Sequence, residues 1–174
     1  MDDLYQSLLE ASFHFISFRP RSEKEIRDFL TKKVHGKNVD NGKRIEQVLE
    51  RLRELEYLDD AKFIRWWVEQ RSRYRPKGRR LLKQELLEKG IDKSLIVECL
   101  NTLLTASPAG GEELMNEIDL AKKALEKKLK LWEKLSRLAF RQKAYTYLSR
   151  RGFSWDIIHQ AMSSQYRNVP NFPI

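Results

Sequence analysis

Apolar residues recur at steps of three and four along most of this chain. In "RIEQVLERLRELEYL" the residues Ile45, Val48, Leu49, Leu52 and Leu55 keep that spacing with charged positions between them, which predicts an amphipathic helix. An earlier helix is expected over residues 4–18, where Leu4, Leu8, Phe13, Phe15 and Ile16 are apolar. Another begins at "RSEKEIRDFL": Ser22 and Glu25 have the spacing of a capping box, and Ile26, Phe29 and Leu30 form the buried face. Asp59 and Asp60 are natural N-caps for a fourth helix with Phe63, Ile64, Trp67 and Val68 on one side. Pro76 closes it, because its ring disfavours helical backbone at Arg75.

The pattern continues through "GRRLLKQELLEKG" and "DKSLIVECLNTLL", with Gly90 as a left-handed cap between two helices. "TASPAGG" reads as a linker. A long helix follows from about Glu112 past Trp132, then two shorter ones near 138–150 and 154–165, separated by Gly152. The tail "RNVPNFPI" holds two prolines and is expected to be irregular. No segment alternates as a strand would. The fold class is all-α.

These helices repeat. An offset of 56 residues lays "RPRSEKEIRDFL" over "RPKGRRLLKQEL", matching Ile26 with Leu82 and Leu30 with Leu86. An offset of 62 lays "LLEKGIDKSLIVECL" over "LSRRGFSWDIIHQAM", placing Gly90 on Gly152 and Ile96 on Ile158. The first copy lacks the glycine and carries a polar loop, "VHGKNVDNGKR", before its third helix. The expected architecture is three tandem three-helix repeats, 1–58, 59–105 and 112–166, with a linker at 106–111 and a tail at 167–174. Units this small bury little surface alone, so an elongated, curved array is expected.

Composition narrows the partners. The 174 residues carry a net charge of +9, which favours polyanions. The N-terminus "MDDLYQSLLE" lacks the cationic start of a secretory signal, and no apolar run approaches the ~20 residues that span a bilayer. Cys99 is the single cysteine, so a reducing, cytoplasmic setting, with no membrane partner, is expected.

The candidate interface is the run around "RSRYRPKGRR". Arg71, Arg73, Arg75, Lys77, Arg79, Arg80 and Lys83 cross a helix end, a turn and the next helix start. A helix N-terminus already carries positive partial charge, so Arg79 and Arg80 there are unfavourable unless a phosphate or carboxylate compensates. The third repeat supplies Lys127, Lys130, Arg141, Lys143, Arg150 and Arg151, while the corresponding helix of the first repeat mixes acids with its cations. Trp66 and Tyr74 are candidate partner contacts; packing against an adjoining repeat is the competing role for Trp66.

Catalysis is not expected. His14, His35 and His159 have no metal-ligand spacing, capping accounts for Asp59 and Asp60, and Cys99 falls on Ala161 in the repeat as a packing position. Neither a phosphate-binding glycine loop nor a nucleophile elbow is present, and no metal or cofactor is implied.

The ordered set "RPRSEKEIRDFL", "VLERLRELEYLDDAKFIRWWVEQR" and "PKGRRLLKQELLEKGI" resembles the RecX family, bacterial regulators of the RecA recombinase. The likeness covers residues 15–100 and reaches the third repeat by the internal offset. It implies three tandem three-helix repeats that bind in the groove of the RecA filament on DNA and modulate, usually inhibit, the recombinase. The expected partners are the RecA filament and single- or double-stranded DNA without sequence preference, met by a monomer. Two departures stand out. Glu56 occupies a place where the family usually has glycine, which suggests a differently built helix end, and Trp66–Trp67 is bulkier than the family pattern. The alternatives are a helix-turn-helix nucleic-acid module unconnected with RecA, and a helical scaffold for an acidic protein.

Overall fold

The structure is a computed structural model that describes residues 3–34, 39–105 and 116–166. Within them run α1 (Asp3–Ser17), α2 (Glu23–Lys33), α3 (Val39–Glu54), α4 (Asp60–Tyr74), α5 (Arg79–Glu88), α6 (Lys93–Thr105), α7 (Glu117–Trp132), α8 (Arg137–Arg150) and α9 (Trp155–Tyr166). The linker at 106–111, the tail at 167–174, residues 112–115 and the loop positions 35–38 lie outside the described residues. The protein is all-α and built from three-helix repeats.

Two compact units emerge from the packing: Met1–Trp66 with Leu86–Ile96, and Trp67–Glu85 with Val97–Ile174. In the first, α1, α2 and α3 enclose Leu8, Ile26, Leu30, Ile45, Val48, Leu49 and Leu52, the residues that the three-and-four spacing selects. Phe15 and Phe29 stack with ring centroids 4.3 Å apart at the edge of that core. In the second, α7, α8 and α9 pack together and bury Leu120, Ala121, Leu125, Phe140, Ala144, Leu148, Phe153 and Ile158. Burial of this apolar face, more than intrinsic propensity, is what holds helices of 10–16 residues in water.

Helix ends follow local chemistry. The Ser22 hydroxyl accepts from the Glu25 N–H while the Glu25 carboxylate accepts from the Ser22 N–H, completing the capping box. Asp59 accepts from the Lys62 N–H at 2.8 Å and caps α4. Asn116 caps α7 by accepting from the Ile118 N–H. That cap sets the start of α7 at Glu117, later than the periodicity alone suggests. By contrast α3 begins early, at Val39, and takes in Asp40–Lys43 from the expected polar loop. Those residues are weak helix formers, but a helix already nucleated by Ile45–Leu52 extends over them at small cost.

Both repeat glycines have positive φ, 81° at Gly90 and 87° at Gly152. Each closes its helix in the same way: Gly90 N–H donates to Leu87 O and Ile91 N–H to Leu86 O, while Gly152 N–H donates to Ser149 O and Phe153 N–H to Leu148 O. Glu56 corrects an expectation. It has φ 58° and makes the same pair of bonds, Glu56 N–H to Arg53 O and Tyr57 N–H to Leu52 O. The α3 end is therefore of the glycine type with glutamate in the left-handed position. The backbone bonds and the buried Leu52 outweigh a steric cost of roughly 1–2 kcal/mol.

Candidate nucleic-acid interface

One docking arrangement occurs twice, related by the internal offsets. In the first unit the N-terminus of α2 meets the turn after α5. The Ser22 hydroxyl donates to Lys89 O at 2.8 Å and Lys24 Nζ to Glu88 O at 3.2 Å, so orphan carbonyls of the α5 end gain donors. In the second unit the N-terminus of α5 meets the turn after α8. Gly78, the counterpart of Ser22, donates its N–H to Arg151 O at 2.9 Å, and the Arg80 guanidinium donates to Ser149 O at 3.0 Å.

The two junctions differ in one acid. At the first, Glu25 lies between Arg19 at 2.9 Å and Lys89 at 2.6 Å. Burial pushes the Glu25 carboxyl up, but hydrogen bonds from Arg19 and Lys89 outweigh it and hold the pKa at about 2. At the second junction the offset of 56 puts Leu81 in the place of Glu25, Arg75 in the place of Arg19, and Arg151 (by the offset of 62) in the place of Lys89. Arg75 is exposed, and no side-chain partner for it occurs among the described residues. Arg151 instead donates to Pro76 O at 3.1 Å and lies 4.7 Å from the Tyr147 ring centre. At the first junction one carboxylate offsets one of the two cations; at the second no acid stands in that place.

Two carboxylates organise other members of the basic run. Glu85 accepts from Arg71 Nε at 2.9 Å, from Trp67 Nε1 at 2.9 Å, and from Lys77. Burial pushes its carboxyl up; the bonds from Lys77, Arg71 and Trp67 outweigh that and hold it below the ordinary carboxylate range. Glu117, 7% exposed, accepts from the Arg79 N–H at 2.8 Å and lies 3.8 Å from Arg79 Nε. The anion that the α5 N-terminus requires is thus the protein's own carboxylate, and Arg80 reaches the carbonyl end of α8, where a cation is favoured. Arg79 also bonds Asn101, and Arg73 pairs with Glu69 within α4.

Apart from Arg73, the candidate cations consequently fall into two groups. Arg71, Lys77, Arg79, Arg80 and Arg151 make the contacts that hold the turn, and Lys127 Nζ joins them by donating to Tyr74 O at 3.1 Å. Arg75, Lys83, Lys130, Arg141, Lys143 and Arg150 have no side-chain hydrogen bond or ion pair among the described residues. Sequence reasoning missed Glu117 as a partner; its signal is an acid opening an otherwise lysine-rich helix.

Trp66 is half-buried, with the Phe63 ring 5.7 Å away and the Arg19 guanidinium 5.6 Å from its ring centre. Tyr74 is 70% exposed. Trp67 is held by Glu85 and carries the Arg71 guanidinium 4.3 Å from its ring centre, which explains how the bulky pair is accommodated. Along α8 the unpaired Lys143 and Arg150 line an open groove of about 460 Å³ together with Trp132, Gln142, Thr146, Tyr147 and Arg151.

Among the described residues no three His, Cys, Asp or Glu side chains could jointly hold a metal, and no helix is long and apolar enough to cross a membrane. His14 packs on Phe18 and His159 on Trp155; His35 lies outside the described residues. Cys99 is half-buried and forms no disulfide.

Equivalent glycine turns and equivalent docking of a second helix define a tandem three-helix repeat protein. Family models described as the second and third three-helix domains of RecX match residues 59–100 and 116–162. The chain belongs to the RecX family. It is 37% identical over 155 residues to regulatory protein RecX of Bacillus subtilis strain 168, an alignment covering 88% of this chain and 53% of that protein. Against regulatory protein RecX of Bacillus velezensis the identity is 34% over 168 residues, covering 96% of this chain and 58% of the relative. The chain thus spans little more than half the length of these curated relatives. In fold it is similar to the crystal structure of RecX from Lactobacillus salivarius, with TM-score 0.74 and 21% identity over 94% of this chain and 97% of that one.

Proposed function

We propose that this protein is a RecX-type regulator that binds the RecA filament on DNA, through RecA, the DNA backbone or both, and restrains the recombinase. Family membership supports the RecA connection. The observation that carries the electrostatic part is the exchange of Glu25 for Leu81 between two equivalent junctions, which leaves Arg75 and Arg151 without the carboxylate that pairs with Arg19 and Lys89. In this reading the units 1–58, 59–105 and 112–166 divide the work, and the second and third carry most of the phosphate attraction.

Arg75, Lys83, Lys130, Arg141, Lys143 and Arg150 are the cations that meet the partner. Arg71, Lys77, Arg79, Arg80 and Arg151 shape the surface beneath them. Binding of this kind releases counterions from the nucleic acid, has no preference among base sequences, and weakens steeply with salt. Contacts to RecA supply the preference for filament over bare DNA. The protein acts by occupation, without chemistry of its own.

The test is fluorescence anisotropy of labelled DNA with and without RecA and a non-hydrolysable ATP analogue. The reading expects tighter binding when RecA coats the DNA, equal affinity for unrelated sequences, and loss of affinity in the Arg75→Ala/Arg150→Ala variant. Sequence-dependent affinity that RecA does not raise would instead identify a helix-turn-helix reader, and no response to DNA or filament would identify a scaffold for another protein.

A further inference from the structure

The groove on α8 has a composition that phosphate attraction alone does not account for. Lys143, Thr146, Tyr147 and Arg150 recur at steps of three and four, so one face of a single helix presents all four. Trp132, the last residue of α7, closes one side: its ring meets Tyr147 edge to face with centroids 5.7 Å apart, and meets the buried Phe140 at 5.9 Å. Arg151 lays its guanidinium 4.7 Å from the Tyr147 ring centre, and Lys128 Nζ lies 5.7 Å from it. No acid lines the groove, and its 460 Å³ falls within the usual size of a small-ligand site. An acidic peptide would use the cations and leave the rings idle. A duplex would offer phosphates but keep its base faces stacked away. An unstacked nucleotide uses both.

We infer that this groove takes one unstacked nucleotide of a single strand, its base lying on the platform of Trp132, Tyr147 and Arg151 and its flanking phosphates on Lys143 and Arg150. These two cations are separated by seven residues, about 10 Å along the helix axis, so they bracket the stacked base. The base is held by its π-face, which every base has, so the site is indifferent to sequence. This deepens the proposed function: it rests on the reading that the chain meets DNA and adds that the strand it holds is single.

The experiment measures affinity of the full chain for oligo-dT and for an abasic oligomer of equal length and charge. The expected result is oligo-dT bound about tenfold more tightly, the effect of stacking one base. Tyr147→Leu brings the two affinities together by weakening oligo-dT far more than the abasic oligomer, and Trp132→Leu does the same if its melting curve stays cooperative. Lys143→Ala and Arg150→Ala weaken both oligomers in parallel, each lowering the salt slope by about 0.7. Equal wild-type affinity for the two oligomers overturns the base site while leaving the DNA-binding reading intact. Absence of binding to either oligomer overturns both. A preference for oligo-dT that Tyr147→Leu does not reduce places the stacking elsewhere and overturns this assignment.

Discussion

Gly78 and Gly152 meet backbone to backbone: a Cβ built on Gly78 would lie 2.4 Å from Gly152 O and 2.5 Å from Phe153 N. The same closeness seats the Gly78 N–H on Arg151 O at 2.9 Å. Gly78 opens α5 and Gly152 closes α8, so the contact sets where the cations of "RPKGRR" lie relative to those of "RRG". The interface is built on two residues without side chains.

Gly78→Ala is therefore predicted to destabilise the protein by about 3 kcal/mol, the upper range for overpacking, because the neighbouring atoms are backbone and have little room to yield. Gly42→Ala is the control. It stands within α3 with nothing within 4 Å of an added Cβ, and the alanine is expected to stabilise by about 0.5–1 kcal/mol. Urea denaturation of both variants separates a steric cost from a general intolerance of glycine replacement.

Glu117→Ala removes the carboxylate that the α5 N-terminus holds. The Arg79 N–H loses its acceptor in a partly buried place, and Arg79 loses its ion-pair partner. A loss of about 1–3 kcal/mol is expected. Glu117→Gln keeps an acceptor for the N–H and is expected to lose less. Equal loss in the two variants would show that charge, not the hydrogen bond, is the larger contribution.

Glu25 makes part of the stability depend on pH. Its folded pKa of about 2 lies below the ordinary value of 4.5, so the unfolded chain binds the proton first as pH falls. The stabilisation is full above about pH 5 and disappears as pH approaches 2. Allowing for solvent screening, its size is on the order of 1–2 kcal/mol. In Glu25→Gln, thermal melts followed between pH 2 and 6 are expected to show a shallower decline than in the wild-type protein. An unchanged slope would mean that Arg19 and Lys89 contribute nothing through this carboxylate.

Much of this was legible from the residues. The buried positions Ile26, Leu82 and Ala144 stand at successive offsets of 56 and 62, as do Leu30, Leu86 and Leu148, all with 0% exposure. Gly90 and Gly152 show the backbone conformation that their shared register implies. What was not legible depends on contacts distant in sequence. The helix start of α5 does carry Arg79 and Arg80, but the groups that compensate them, Glu117 and the carbonyl end of α8, lie 38 and 69 residues away. Periodicity gives no sign of such partners. For the same reason the basic run could not be divided into cations that build the turn and cations that remain unpaired, a division that depends on Glu85, Glu117 and Pro76 O.

The central claim is that the unpaired cations of the second unit hold a RecA filament in check. Its most direct test is RecA-driven ATP hydrolysis on single-stranded DNA with sub-stoichiometric wild-type protein or the Arg75→Ala/Lys83→Ala/Lys143→Ala/Arg150→Ala variant. The account predicts that the wild-type protein slows hydrolysis and that the variant, folded with unchanged helicity, slows it at least tenfold less effectively. Equal inhibition by the two proteins, or a hydrolysis rate that the wild-type protein leaves untouched, would contradict it.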